Sequence, residues 1–151
     1  TPLLAILATP PAFAAEPLAD CAAFKAAWSK SLVAAEPGRP PPSITPVGQA
    51  GEEVVAGWDG LDARIGCSGG KLDRVRLRQT GDSPGLLLAA AAAVLVALDP
   101  DLPGAAAVDL VGALRADAGA SRTAVSGWGA YELTFDPGQG GKAEFSVVAE
   151  R

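Results

Sequence analysis

The run from Leu86 to Leu98, "LLLAAAAAVLVAL", is thirteen apolar residues without a break, and such a segment has to be kept from water. As a helix it reaches about 20 Å, well short of the roughly 30 Å hydrocarbon core of a bilayer. Its flanks also suit a globular helix. Asp82 and Ser83 stand before it as capping residues, and Pro84 takes a first-turn position. Asp99-Pro100 closes it, because the residue before a proline is pushed out of the helical region. No Lys or Arg adjoins either end to orient a membrane span. The segment is therefore expected to be a buried core helix, and Ala89 to Ala93 would let it lie close against its neighbours.

A helix apolar on all sides needs partners on all sides, and the rest of the chain supplies them. Asp20 caps a first helix, "CAAFKAAWSKSLV", in which Cys21, Phe24, Trp28 and Leu32 recur at spacings of three and four and form one stripe. "PGRPPPSITP" then reads as an extended, polyproline-like connector. "EEVVAGW" and "LDARIGC" flank Asp59-Gly60, a strong two-residue hairpin signal. The expected register pairs Trp58 with Leu61, Ala56 with Ala63 and Val54 with Ile65, all on one face. A third strand, "LDRVRLRQ", places Val75 and Leu77 inward and Arg74, Arg76 and Arg78 on the opposite face. After the apolar helix a further one carries Val108, Leu110, Val111 and Leu114 and ends at Gly119. "RTAVSGWGAYELTF" and "KAEFSVVAE" complete the chain as a hairpin, with Val125, Tyr131, Leu133 and Phe135 on one face. Trp128 has the other parity, so it either faces outward or is turned inward by a bulge at Gly127-Trp128-Gly129.

The order is thus α-β-β-β-α-α-β-β, without the strand–helix alternation that builds parallel sheets. It predicts a two-layer α+β domain: a five-stranded, mostly antiparallel sheet with the helices packed on one face. Residues 15–151 suit a single domain, and an apolar content of 49% excludes a disordered chain.

Residues 1–14 are expected to be a signal-peptide remnant. Leu3 to Ala8 resembles the tail of a hydrophobic signal core, and Ala12-Phe13-Ala14 supplies small residues for cleavage after Ala14. Cys21 and Cys67 are the only cysteines. In an exported chain an internal disulfide is the simplest pairing, with two free thiols or an intermolecular bridge as the alternatives. The first helix presents Cys21 on its stripe and the hairpin presents Cys67 on its inner face, which favours the internal bridge. These features point to the bacterial periplasm or to secretion. A net charge of −5 argues against nucleic acid or an anionic membrane surface as partner.

Catalytic motifs are thin. "GCSGGKL" approaches a phosphate loop, but it is one residue short, ends in Leu72 and leads into a strand. "DPDLPGAAAVDL" begins like a calcium loop but has Leu110 where the final carboxylate belongs. No His is present to activate a serine. No cofactor or metal is expected, and enzymatic activity is left open with a non-catalytic role preferred. The constellation that remains is basic. Arg74, Arg76 and Arg78, with Arg64 on the neighbouring strand and Trp128 on the same face if it points outward, would suit a protein partner or small anionic ligand. Two rival functions make different demands. A carboxylate-dependent hydrolase or transferase needs a buried Asp or Glu in a polar cleft, and a carrier of hydrophobic ligands needs an empty space above the sheet.

Overall fold

The chain follows the expected pattern of helices because its burial signals are local and strong; of the expected caps Asp20 makes its side-chain bond, whereas Ser83, the residue before the apolar helix, makes none. The computed structural model describes residues 17–46, 52–56, 58–138 and 142–150, so the expected signal remnant lies outside the described residues. Helix α1 (Cys21–Ala35) begins at Asp20, whose carboxylate accepts from the Ala23 amide at 2.9 Å, and it buries Cys21, Phe24, Trp28 and Leu32. Helix α2 (Pro84–Leu98) is the apolar run, entered through Pro84 and left at Asp99. Helix α3 (Gly104–Ala118) ends at Gly119 and buries Ala107, Val111, Leu114 and Ala118. Val108, one of the apolar residues it carries, is 53% exposed. Among the described residues no helix is long and apolar enough to cross a membrane.

The fold is an α+β two-layer arrangement with an antiparallel sheet. Its strands are β1 (Ser43–Pro46), β2 (Glu52–Ala56), β3 (Leu61–Ser68), β4 (Lys71–Gln79), β5 (Ala124–Trp128), β6 (Tyr131–Asp136) and β7 (Glu144–Ala149). They lie in the order β1-β2-β3-β4-β7-β6-β5. All five expected strand segments are in the sheet, and two features raise the count to seven. The end of the proline-rich connector pairs with β2 as an edge strand, where a proline such as Pro46 costs little. The long segment before Phe135 folds back on itself at Gly129, whose φ of +60° suits a tight turn. Two meanders result, residues 43–79 and 124–149, and a single antiparallel pairing of β4 with β7 joins them.

That turn decides a question of parity. Trp128 pairs with Tyr131, Ser126 with Leu133 and Ala124 with Phe135, so these residues share the helix-facing side. Val125 falls on the outer side and is 54% exposed, contrary to the grouping expected from an unbroken strand.

The first hairpin also differs from expectation. Trp58 and Leu61 do close the turn, with the Leu61 amide donating to the Trp58 carbonyl at 3.2 Å. Beyond it, however, Val55 rather than Ala56 lies opposite Ala63, and Glu53 rather than Val54 opposite Ile65. The arms differ by one residue between the turn and the first paired position, and a slip of one reverses which residues share a face. A further irregularity at Gly66/Cys67 sets Gly66 opposite Arg74 but Cys67 opposite Leu72, which keeps Leu72, Val75 and Leu77 all buried.

Three helices cover the inner face, with α2 between α1 and α3. Its alanines permit this. Ala90 and Ala91 have no exposed surface, and the buried Trp28 indole N–H donates to the Ala90 carbonyl at 3.2 Å across the α1–α2 contact. The cysteines form the expected disulfide, Cys21–Cys67, with Cα atoms 6.2 Å apart. Backbone bonds brace the same corner. The Cys21 amide donates to Gly70 and the Leu72 amide to Ala19, at 2.9 and 2.8 Å, around an isolated bridge between Asp20 and Lys71.

Candidate functional site

Strand β4 alternates strictly over its second half, so Val75, Leu77 and Gln79 enter the core while Arg74, Arg76 and Arg78 stand on the outer face. None of the described helices packs on that face. On β3, Arg64 lies directly opposite Arg76, Gly66 opposite Arg74 and Asp62 opposite Arg78. On the other side β7 sets Val148, Ser146 and Glu144 beside Arg74, Arg76 and Arg78. Four guanidinium groups therefore occupy neighbouring positions on two adjacent strands.

The absence of a side chain at Gly66 shapes the middle of the cluster. A Cβ there would meet Nε and Nη2 of Arg74 at 3.7 Å, so the Arg74 side chain lies across the β3 backbone. Beside it a dimple of about 20 Å³ is lined by Arg64, Ile65, Gly66, Arg74 and Arg76. Glu144 supplies a carboxylate: its Oε1 lies 3.2 Å from Arg76 Nε and 3.8 Å from Arg78 Nε. Both arginine side chains are 48% exposed, and exposed pairs of this kind contribute about 0–1 kcal/mol. Arg64 faces Arg76 in register, which sets two cationic side chains directly opposite each other.

The fifth candidate residue lies elsewhere. Trp128 is half-buried on the helix side of the sheet, and β6 and β7 separate its strand from β4. It lines a cavity of about 470 Å³ with Leu98, Asp99 and Tyr131. The arginines come together and the tryptophan does not join them. Sequence reading missed this cavity. Its walls come from segments remote from one another in the chain, and Asp99 carried only the signals of a helix stop and of an incomplete calcium loop.

A second tryptophan contact was equally hidden. Arg39 of the connector lies over the Trp58 ring at 5.4 Å, and the Trp58 indole donates to the Pro40 carbonyl at 3.1 Å. Together they hold the proline-rich segment against the first hairpin.

The rival chemistries find less to work with. Among the residues whose burial is described, Gln79 is buried, and its amide donates to the Gly81 carbonyl at 2.9 Å. Among the residues whose burial is described no Asp or Glu is buried, and among the described residues no group of three or more His, Cys, Asp or Glu is placed to hold a metal ion. The layer between α2 and the sheet is filled by Leu87, Val94, Leu95, Val75, Leu77 and Phe145, each exposed by 1% or less.

Compared with known proteins, the chain matches no family model, no curated protein and no solved structure. Its own geometry is what bears on function.

Proposed function

We propose that the chain is an exported, non-catalytic binding domain that captures a protein partner or small anionic ligand on its outer sheet face. The observation that carries this reading is the placement of Arg64, Arg74, Arg76 and Arg78 side by side on a face that none of the described helices covers. A bridging carboxylate or phosphate would accept charge-assisted bonds from two neighbouring guanidinium groups. Arg74 spread over Gly66 supplies a flat cationic surface beside the dimple. Export to the periplasm or beyond the cell is the setting in which a disulfide such as Cys21–Cys67 persists.

The test is a titration with citrate as the anionic probe, followed through the arginine Nε–H resonances. Saturable shifts are expected at Arg64, Arg74 and Arg76. Replacing Arg74 and Arg76 together with Glu should abolish them while the melting temperature stays within a few degrees. A double variant that binds citrate as the parent does would refute the site, and one that simply unfolds would show the stripe to be structural.

A further inference from the structure

We propose that the cavity at the C-terminal end of α2 is a second binding site, selective for an organic cation that carries an alkylammonium group. It is independent of the arginine face, because it opens on the opposite side of the sheet.

Three features of different origin converge there. The first is aromatic. Trp128 is half-buried on the cavity wall with Tyr131 beside it, and the negative face of an indole ring attracts a cation. The second is a carboxylate. Asp99 lines the cavity half-buried, and of its oxygens Oδ1 accepts from the Asp101 amide at 3.1 Å. The third is the helix itself. Asp99 is the C-cap of α2, so the last carbonyl groups of that helix bring the negative end of its dipole to the same place. The last turn of α2 has no basic residue to offset it, and none of the described residues lining the cavity is basic.

Size and wall chemistry specify the ligand further. A volume of about 470 Å³ falls within the range of small-molecule sites. Pro17, Ala19 and Leu98 supply the apolar part of a wall that is otherwise polar, and among the described residues Asp99 is the one lining carboxylate. A hard metal ion requires several oxygen ligands and is poorly served here. An ammonium group on an alkyl stem matches both parts: charge toward Asp99 and the indole, hydrocarbon toward Leu98 and Pro17. The floor is fixed in advance. The Tyr131 hydroxyl accepts from the Ala19 amide at 2.9 Å and donates to the Leu72 carbonyl at 3.0 Å, so that wall is already ordered before a ligand arrives.

The same ammonium chemistry could reach the site as a free metabolite or as a lysine side chain, and the experiment separates the two. Uniformly ¹⁵N-labelled protein is titrated with choline, with Nα-acetyl-lysine methylamide, and with 3,3-dimethylbutanol as the neutral counterpart of choline. A saturable shift of the Trp128 indole N–H is expected with at least one of the two cations, with Trp28 and Trp58 unmoved. Choline alone assigns the site to small quaternary ammonium compounds, and a response to the lysine derivative extends it to peptide side chains. Asp99→Asn keeps an oxygen for the Asp101 amide but removes the charge, and should weaken binding by about tenfold or more. Trp128→Leu should abolish it. The proposal is overturned if neither cation gives a saturable shift, if the neutral alcohol binds as well as choline, or if Asp99→Asn leaves the affinity unchanged.

Discussion

Tyr131→Phe removes one oxygen atom and, by the geometry, two long-range hydrogen bonds. The hydroxyl joins β6 to residues 112 and 59 positions away: it accepts from the Ala19 amide and donates to the Leu72 carbonyl. Each bond should contribute about 1 kcal/mol net, and the carbonyl left behind at the fully buried Leu72 adds a desolvation cost, for a total of about 2–3 kcal/mol. Urea denaturation of the oxidised protein measures it directly. The midpoint should fall while the dependence on urea stays the same, because the area exposed on unfolding is unchanged. The same hydroxyl predicts an alkaline limit. Burial raises the Tyr131 pKa above its ordinary value of 10.0 by disfavouring the phenolate; the Ala19 amide opposes this and the charge of Asp73 adds to it. Since the folded value exceeds the unfolded one, this stabilisation is complete below about pH 10 and is lost as the pH rises through the folded value. Tyr131 is the only tyrosine, so phenolate absorbance reads this group alone. A loss below about 0.5 kcal/mol, or ionisation at the ordinary value with the fold intact, would refute the role given to this hydroxyl.

Two further outcomes follow from the core. Replacing Cys21 and Cys67 with Ala opens a loop of sequence separation 46, and chain entropy alone sets the loss near 4 kcal/mol. The backbone bonds at Ala19, Cys21 and Leu72 should still keep α1 docked, so amide shifts outside that corner would stay close to those of the parent while the urea midpoint drops. Ala91→Leu inserts bulk where no exposed surface remains and should cost about 1–3 kcal/mol by calorimetry or urea melting. Tolerance or added stability would instead reveal spare room above the sheet, as a carrier of hydrophobic ligands requires.

What the sequence made legible was whatever rests on a local period. The stripe from Cys21 to Leu32, the apolar run and the alternation through Arg74, Arg76 and Arg78 are periodic patterns, and the structure keeps all three. Registers and parities were harder, because a single residue resets them. Gly129 converts one expected strand into two and sends Trp128 inward and Val125 outward. One residue of slip between the arms of the first hairpin exchanges Val54 for Glu53 opposite Ile65. Edge strand β1 was obscured by its prolines, which describe an extended backbone but carry no sign of pairing. The cation pocket was invisible for a different reason. Pro17, Asp99 and Trp128 share no periodicity, and only the tertiary packing of three separate segments makes them neighbours.

The single join between the two meanders bears on how the molecule assembles. Every strand contact except that of β4 with β7 is between neighbours along the chain, so each half can zip up from its own short turns. The last seam must instead gather residues as distant as Arg76 and Glu144, 68 positions apart, with two helices in the intervening loop. Loop closure on that scale is slow relative to hairpin formation, which makes the seam the expected rate-setting event of folding. The arginine cluster borders it: its four guanidinium groups all come from the first half, and Glu144 reaches Arg76 and Arg78 only when both halves have met.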